Sequence, residues 1–289
     1  MELAALMNSY LRRRAATGEL CAKSVRAIRY RLLPFAEYVA GVPIDDLRRT
    51  HVEDWLVDCE LRPRSYNAYL SSLRVFFDTC IDREELTRNP TRGIRPVRVP
   101  PGEARGLTRE EVAAVLAHAG SAENRTSILL MVQLGLRCIE VGRIRMEDVN
   151  VRERSLGVRG KNGDGDVTRH IYIVDEAWDA LRTVLAERGI ASGYLFADAQ
   201  GRPRSPWTVS NRITEAFARA GVKTGPWDGR SAHALRHTCA EDMAANGATV
   251  RQIQRTLGHS NAATTEQYLR AAMRLDEIRG AMEGRRYAS

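Results

Sequence analysis

No helix can run through residues 88–106, and that stretch limits the fold more than any other feature of the chain. It holds Pro90, Pro96, Pro100 and Pro101, four of the chain's ten prolines. Each removes a backbone donor and pushes the residue before it out of the helical region. Helical periodicity is visible on both sides. Leu32, Leu33, Phe35, Ala36 and Val39 recur at helix spacing, as do Tyr69, Leu70, Leu73, Phe76 and Phe77. The break therefore predicts a small helical domain over residues 1–87, an extended connector over 88–106 and a second domain over 107–289. A length of 289 residues suits this division, at roughly 150 residues per domain.

The connector is also charged. Its five arginines and one glutamate leave +4, half of the chain's net +8. A basic, extended strap suits a polyanion backbone, with Arg92, Arg95 and Arg98 as candidate contacts; a merely solvated linker is the other reading. Lys and Arg total 44, yet only Lys23, Lys161 and Lys223 are lysines. The planar fork of arginine favours bidentate phosphate contacts, although GC-rich codon usage produces the same bias.

In the second domain, Thr108 followed by Glu111 reads as a capping box opening a helix to about His118. A further apolar helix runs through Leu134. Leu156 and Val158, then Ile171 to Val174, flank the turn-rich stretch 160–166 as a β-hairpin. Helices are expected at roughly 175–188, 206–220, 234–246, 249–257 and 261–283. The fold class is mostly α, with a small antiparallel sheet in the second domain.

Several chemistries are excluded. There is no GxxxxGK[ST] and no GxGxxG after a strand, so neither ATP nor a dinucleotide is expected. His233 and His237 lie four apart, but HExxH is missing and no carboxylate or cysteine completes a shell, so no metal or other cofactor is expected. Five scattered cysteines without CxxC argue for a reducing compartment. No stretch approaches the ~20 apolar residues that cross a bilayer, and the N-terminus lacks the order of a signal peptide. A cytoplasmic, nucleoid-associated protein with no membrane partner is expected.

A dispersed set of polar residues remains. Gly135-Leu-Arg137-Cys-Ile-Glu140 sets an arginine and an acid one helical turn apart, and His233-Ala-Leu-Arg236 does the same for an imidazole and a guanidinium. Leu257-Gly258-His259 follows, and then Tyr268. Singly, each reads as readily as an ion pair, a capping imidazole or a packing tyrosine.

As an ordered set they resemble the tyrosine recombinase, or phage integrase, family. Its signature is G-L-R-x-x-E, a hairpin lysine, H-x-L-R-H, L-G-H and a tyrosine, matched here by Arg137 with Glu140, Lys161, His233 with Arg236, His259 and Tyr268. The first domain is similar to the family's core-binding domain in Ser65–Phe77 and in Arg88-Asn-Pro90. The resemblance implies a metal- and ATP-independent DNA strand-exchange enzyme. Tyr268 would be the nucleophile, Arg137 and Arg236 the phosphate clamp, His259 a further donor, His233 the base and Lys161 the acid. Glu140 would hold Arg137 or a histidine in place. It also implies a 3′-phosphotyrosyl intermediate, a Holliday junction, double-stranded core-type attachment sites, a homotetramer and an accessory directionality factor. Integration or excision of a phage or other mobile element is the leading expectation. A Xer-type chromosome or plasmid dimer resolvase and an inactive DNA-binding regulator are the alternatives. With the core-binding pattern starting near Met1, a two-domain type without an arm-binding domain is expected. Residues 269–289 form an amphipathic stripe that packs on its own domain or docks into a neighbouring protomer of a head-to-tail ring.

Overall fold

A computed structural model describes residues 2–99, 106–160, 166–189, 192–225 and 228–258. The chain divides into two units, Met1–Gly102 and Glu103–Ser289.

The first unit contains α1 (Leu3–Ala16), α2 (Ala22–Tyr38), α3 (Arg49–Asp58) and α4 (Pro63–Asp82). Pro63 opens α4 at its first turn, where no intrahelical donor is lost. Its apolar stripe buries Leu70, Leu73, Phe76, Phe77 and Cys80. These meet Tyr10 of α1, edge-on to Phe76 at 5.3 Å, while Phe35 of α2 packs on Trp55 of α3 at 5.1 Å.

The connector departs from expectation over residues 88–97. This segment is pinned to the first unit, which extends to Gly102, inside the expected connector of residues 88–106. Asn89 Oδ1 accepts from the Thr91 backbone at 2.8 Å, and Arg74 donates to the Ile94 carbonyl at 2.7 Å. The Asn67 amide exchanges two bonds with the Val97 backbone, both 2.9 Å. Ile94 is buried in the first core. Proline removed the helix but left this segment's carbonyls and Ile94 available to α4. Arg92, Arg95 and Arg98 remain exposed.

The second unit comprises α5 (Arg109–Ala117), α6 (Ala122–Leu134), α7 (Cys138–Gly142), β1 (Val149–Asn150), β2 (Ser155–Arg159), β3 (Val167–Tyr172), α8 (Asp175–Arg188), α9 (Pro206–Arg219), α10 (Ala232–Ala245) and α11 (Val250–Leu257). The expected capping box opens α5: Thr108 Oγ1 accepts from Glu111 N at 3.2 Å, and the Glu111 carboxylate accepts from Thr108 N at 2.9 Å. α6 is buried along most of its length and packs against both α8 and α10. The sheet is antiparallel in the order β1-β2-β3, with Leu156 opposite Ile171 and Val158 opposite Arg169. Among the described residues the fold is mostly helical with this one small sheet, and no helix is long and apolar enough to cross a membrane.

Candidate active site

Three chain turns build the site. α6 ends on Gly135 in the left-handed region (φ 68°), and a Cβ there would lie 2.2 Å from Leu257 Cδ2. Glycine thus lets the end of α6 approach the end of α11. Two residues on, Arg137 caps α7: its backbone N–H donates to Glu140 Oε2 at 2.8 Å and its Nη1 to Glu140 Oε1 at 2.9 Å. α11 ends on Gly258, also left-handed at φ 65°. The helix expected at 249–257 is therefore present and ends on this glycine.

Arg236, on α10, is wholly buried. Its Nη1 donates to the Gly135 carbonyl and its Nη2 to the Leu257 carbonyl at 2.6 Å. Arg137 keeps 31% of its side chain exposed and reaches the same helix end, Leu257 O at 3.4 Å and Gly258 O at 3.2 Å. Both arginines therefore sit at the carbonyl end of α11, where the helix dipole favours cations. Glu140, with a side chain 2% exposed, lies between them, 3.9 Å from Arg236 Nη1.

One participant was missed in the sequence. Arg169 on β3 forms a bidentate pair with Glu140, Nη1 to Oε1 at 3.1 Å and Nη2 to Oε2 at 3.0 Å. A signal for it existed: the two-residue period of the strand puts Arg169 on the same face as buried Ile171. A charge on a buried face needs a buried partner. Burial pushes the Glu140 carboxyl up, but the hydrogen bond and charge of Arg169, then those of Arg137, outweigh it and hold it below the ordinary carboxylate value.

His233 and His237 follow one another along α10, ring centroids 4.6 Å apart and edge-to-face. Partial desolvation of the His233 ring, then the positive charges of Arg236 and Arg137, hold its pKa below the usual histidine value. It is therefore neutral near pH 7 and able to accept a proton. Thr238, which follows His237 along α10, has a structural role. It is buried, accepting from Leu107 N at 2.7 Å and donating to the Ala234 carbonyl at 3.0 Å.

Desolvation, then the charges of His233 and Arg236, lower His237 further, to about 4. The unfolded chain protonates this histidine near its ordinary value of 6.5, so between the two values the unfolded state binds more protons. Stability from neutral His237 is complete above pH 6.5 and is lost as pH falls toward 4. The melting-temperature advantage of wild type over His237→Gln is thus expected to shrink between pH 7.5 and 4.5. A constant difference over that range would contradict this.

Of the second domain's two lysines, Lys223 is the one among the described residues. Lys223 Nζ is engaged by the carbonyls of Gly225 at 2.7 Å and Arg230 at 3.2 Å and by Asp228 at 3.1 Å, so a structural loop occupies it. Lys161, the second domain's other lysine, lies outside the described residues, between β2 and β3. His259, Tyr268 and the 269–289 tail also lie outside them. Among the described residues no His, Cys, Asp and Glu group is arranged to hold a metal ion.

Residues 105–274 match the Phage integrase family. Tyrosine recombinase XerA of Pyrococcus furiosus is 31% identical over 214 residues, 72% of this chain and 70% of that protein. Tyrosine recombinase XerC of Vibrio cholerae is 33% identical over 218 residues, 72% of this chain and 67% of that one. In solved structures, the Tn1549 transposon integrase in complex with a circular intermediate DNA superposes with a TM-score of 0.79 at 20% identity, over 99% of this chain and 100% of that one. XerH site-specific recombinase bound to palindromic difH substrate gives 0.79 at 17% identity, over 98% and 96%. At these identities the structural likeness speaks for the fold.

Proposed function

Because the chain belongs to the phage integrase family and is a tyrosine site-specific recombinase, we propose that it cuts and rejoins double-stranded DNA at core-type sites through a phosphotyrosine. The supporting observation is the convergence of Arg137 and Arg236, from two helices, on one carboxylate and one helix end. Attack on a phosphodiester builds charge on the non-bridging oxygens, and two guanidiniums can neutralise it. Engaging the phosphate exchanges the neutral carbonyls of Leu257 and Gly258 for charged oxygens, which are the stronger acceptors.

In this reading the Tyr268 hydroxyl attacks the scissile phosphorus and passes its proton to His233. The 5′ oxygen leaves as Lys161 protonates it, and His259 donates a hydrogen bond to the phosphoryl group. A phenol ionises near pH ~10, so a neutral imidazole beside two arginines answers its need for activation. The 3′-phosphotyrosyl bond conserves the ester's energy, and a second 5′ hydroxyl reverses the attack. Two rounds pass through a Holliday junction. Arg92, Arg95 and Arg98 follow the DNA backbone, and the active assembly is a cytoplasmic, nucleoid-associated homotetramer, with the 269–289 tail docking between protomers. Integration or excision of a mobile element, with an accessory directionality factor, is the leading role. Similarity to the Xer recombinases favours a second one, resolution of chromosome or plasmid dimers.

Incubated with a nicked core-site duplex, the wild-type protein is expected to yield a denaturation-resistant DNA adduct. Peptide mapping should locate the link at Tyr268. Binding without any adduct would leave only the regulator reading.

A further inference from the structure

Arg169 shares the Glu140 carboxylate with Arg137 and also reaches α11. Its Nε donates to the Thr256 carbonyl at 2.9 Å. A Cβ at Gly258 would meet its Nη1 at 2.8 Å, so the guanidinium lies against that left-handed turn. Its side chain is 10% exposed. It thus ties β3 to the N-terminus of α7 and to the last turn of α11.

The charge arrangement gives this tie a purpose. Glu140 is too buried to be solvated, so its charge must be met by neighbouring cations. Without Arg169 those cations would be Arg137 and Arg236, the two assigned above to the phosphate, and each would have its positive potential reduced where charge develops. With Arg169 present, three guanidiniums face one carboxylate. On the basis of the function proposed above, we infer that Arg169 is a positioning residue for strand cleavage: it takes up the charge of Glu140 and so leaves the charge of Arg137 and Arg236 for the scissile phosphate. Lysine could supply the charge but not both carboxylate bonds together with the bond to Thr256.

The test compares wild type with R169Q, E140Q, R169K and the double variant R169Q/E140Q. Three readouts are needed: single-turnover cleavage of a nicked core-site duplex, affinity for that duplex, and melting temperature. R169Q is expected to slow cleavage about 100-fold, the scale of losing one preorganised charge interaction, with little change in DNA affinity. The double variant no longer carries the unmatched carboxylate and should recover at least about tenfold of that loss. R169K should fall between R169Q and wild type. If Arg169 were only a mechanical anchor for β3 and α11, the double variant would be as slow as R169Q or slower, and that result overturns the inference. Should R169Q melt below the assay temperature, the double variant decides: cleavage within about tenfold of wild type upholds the charge role, and slower cleavage refutes it. Absence of an adduct from wild type would count against the proposed function. A cleaving wild type with an unrescued double variant counts against Arg169 alone.

Discussion

Tyr268→Phe is expected to bind core-site DNA as wild type does and to form no covalent adduct with it. Phenylalanine keeps the ring and removes only the hydroxyl proposed above to attack the phosphorus, so DNA binding is expected to persist while the proposed reacting atom is gone. Removal of a nucleophile typically lowers a rate by ~10⁴-fold or more, which for a single-turnover gel assay means no detectable product. Resealing should fail with cleavage, because the phosphotyrosyl ester is the substrate of the second step. The control is Tyr287, the other tyrosine of the C-terminal stretch; Tyr287→Phe should form adduct normally. An adduct that survives Tyr268→Phe and disappears in Tyr287→Phe would reassign the nucleophile.

For Arg236→Ala the loss is expected in two quantities at once. The side chain is completely buried and donates to the carbonyls ending α6 and α11. Its removal takes the donor from the Gly135 carbonyl, leaves the Leu257 carbonyl only its longer 3.4 Å contact with Arg137, and takes one cation away from Glu140. Breaking a buried charged contact of this kind costs about 3–5 kcal/mol, a large part of a domain's stability. Cleavage should fall by a further ~10²–10³-fold among molecules that remain folded, the scale of losing one transition-state donor. Arg236→Lys separates the two effects. A lysine restores charge near Glu140 and one carbonyl contact, so much of the stability should return, but a single ammonium cannot span Gly135 and Leu257 as the fork does. Melting temperature recovering without cleavage is the expected pattern. Joint recovery would mean that Arg236 contributes only its charge.

Local features of the site were open to sequence reading. The Thr108 capping box closes within four residues, the glycine ends of α6 and α11 answer a backbone need, and the hairpin strands announce themselves by a period of two. Such features depend on neighbours along the chain, so residue type and spacing contain the needed information. The docking of residues 88–97 was not visible in the same way. Prolines report what the backbone cannot do, and nothing local says that Ile94 enters a core or that Asn67 meets Val97.

The ordered residues around Arg137, His233 and Arg236, and through them the family, could be named from the amino acids alone, because chemistry dictates residue types and helix geometry dictates short spacings. Which cation holds which acid could not. Arg169 is one of many arginines in a chain poor in lysine, and its claim on Glu140 arises where β3 crosses the ends of α7 and α11. Folding puts that carboxylate out of reach of water, and a buried charge must then be met by whichever cations the packing brings to it.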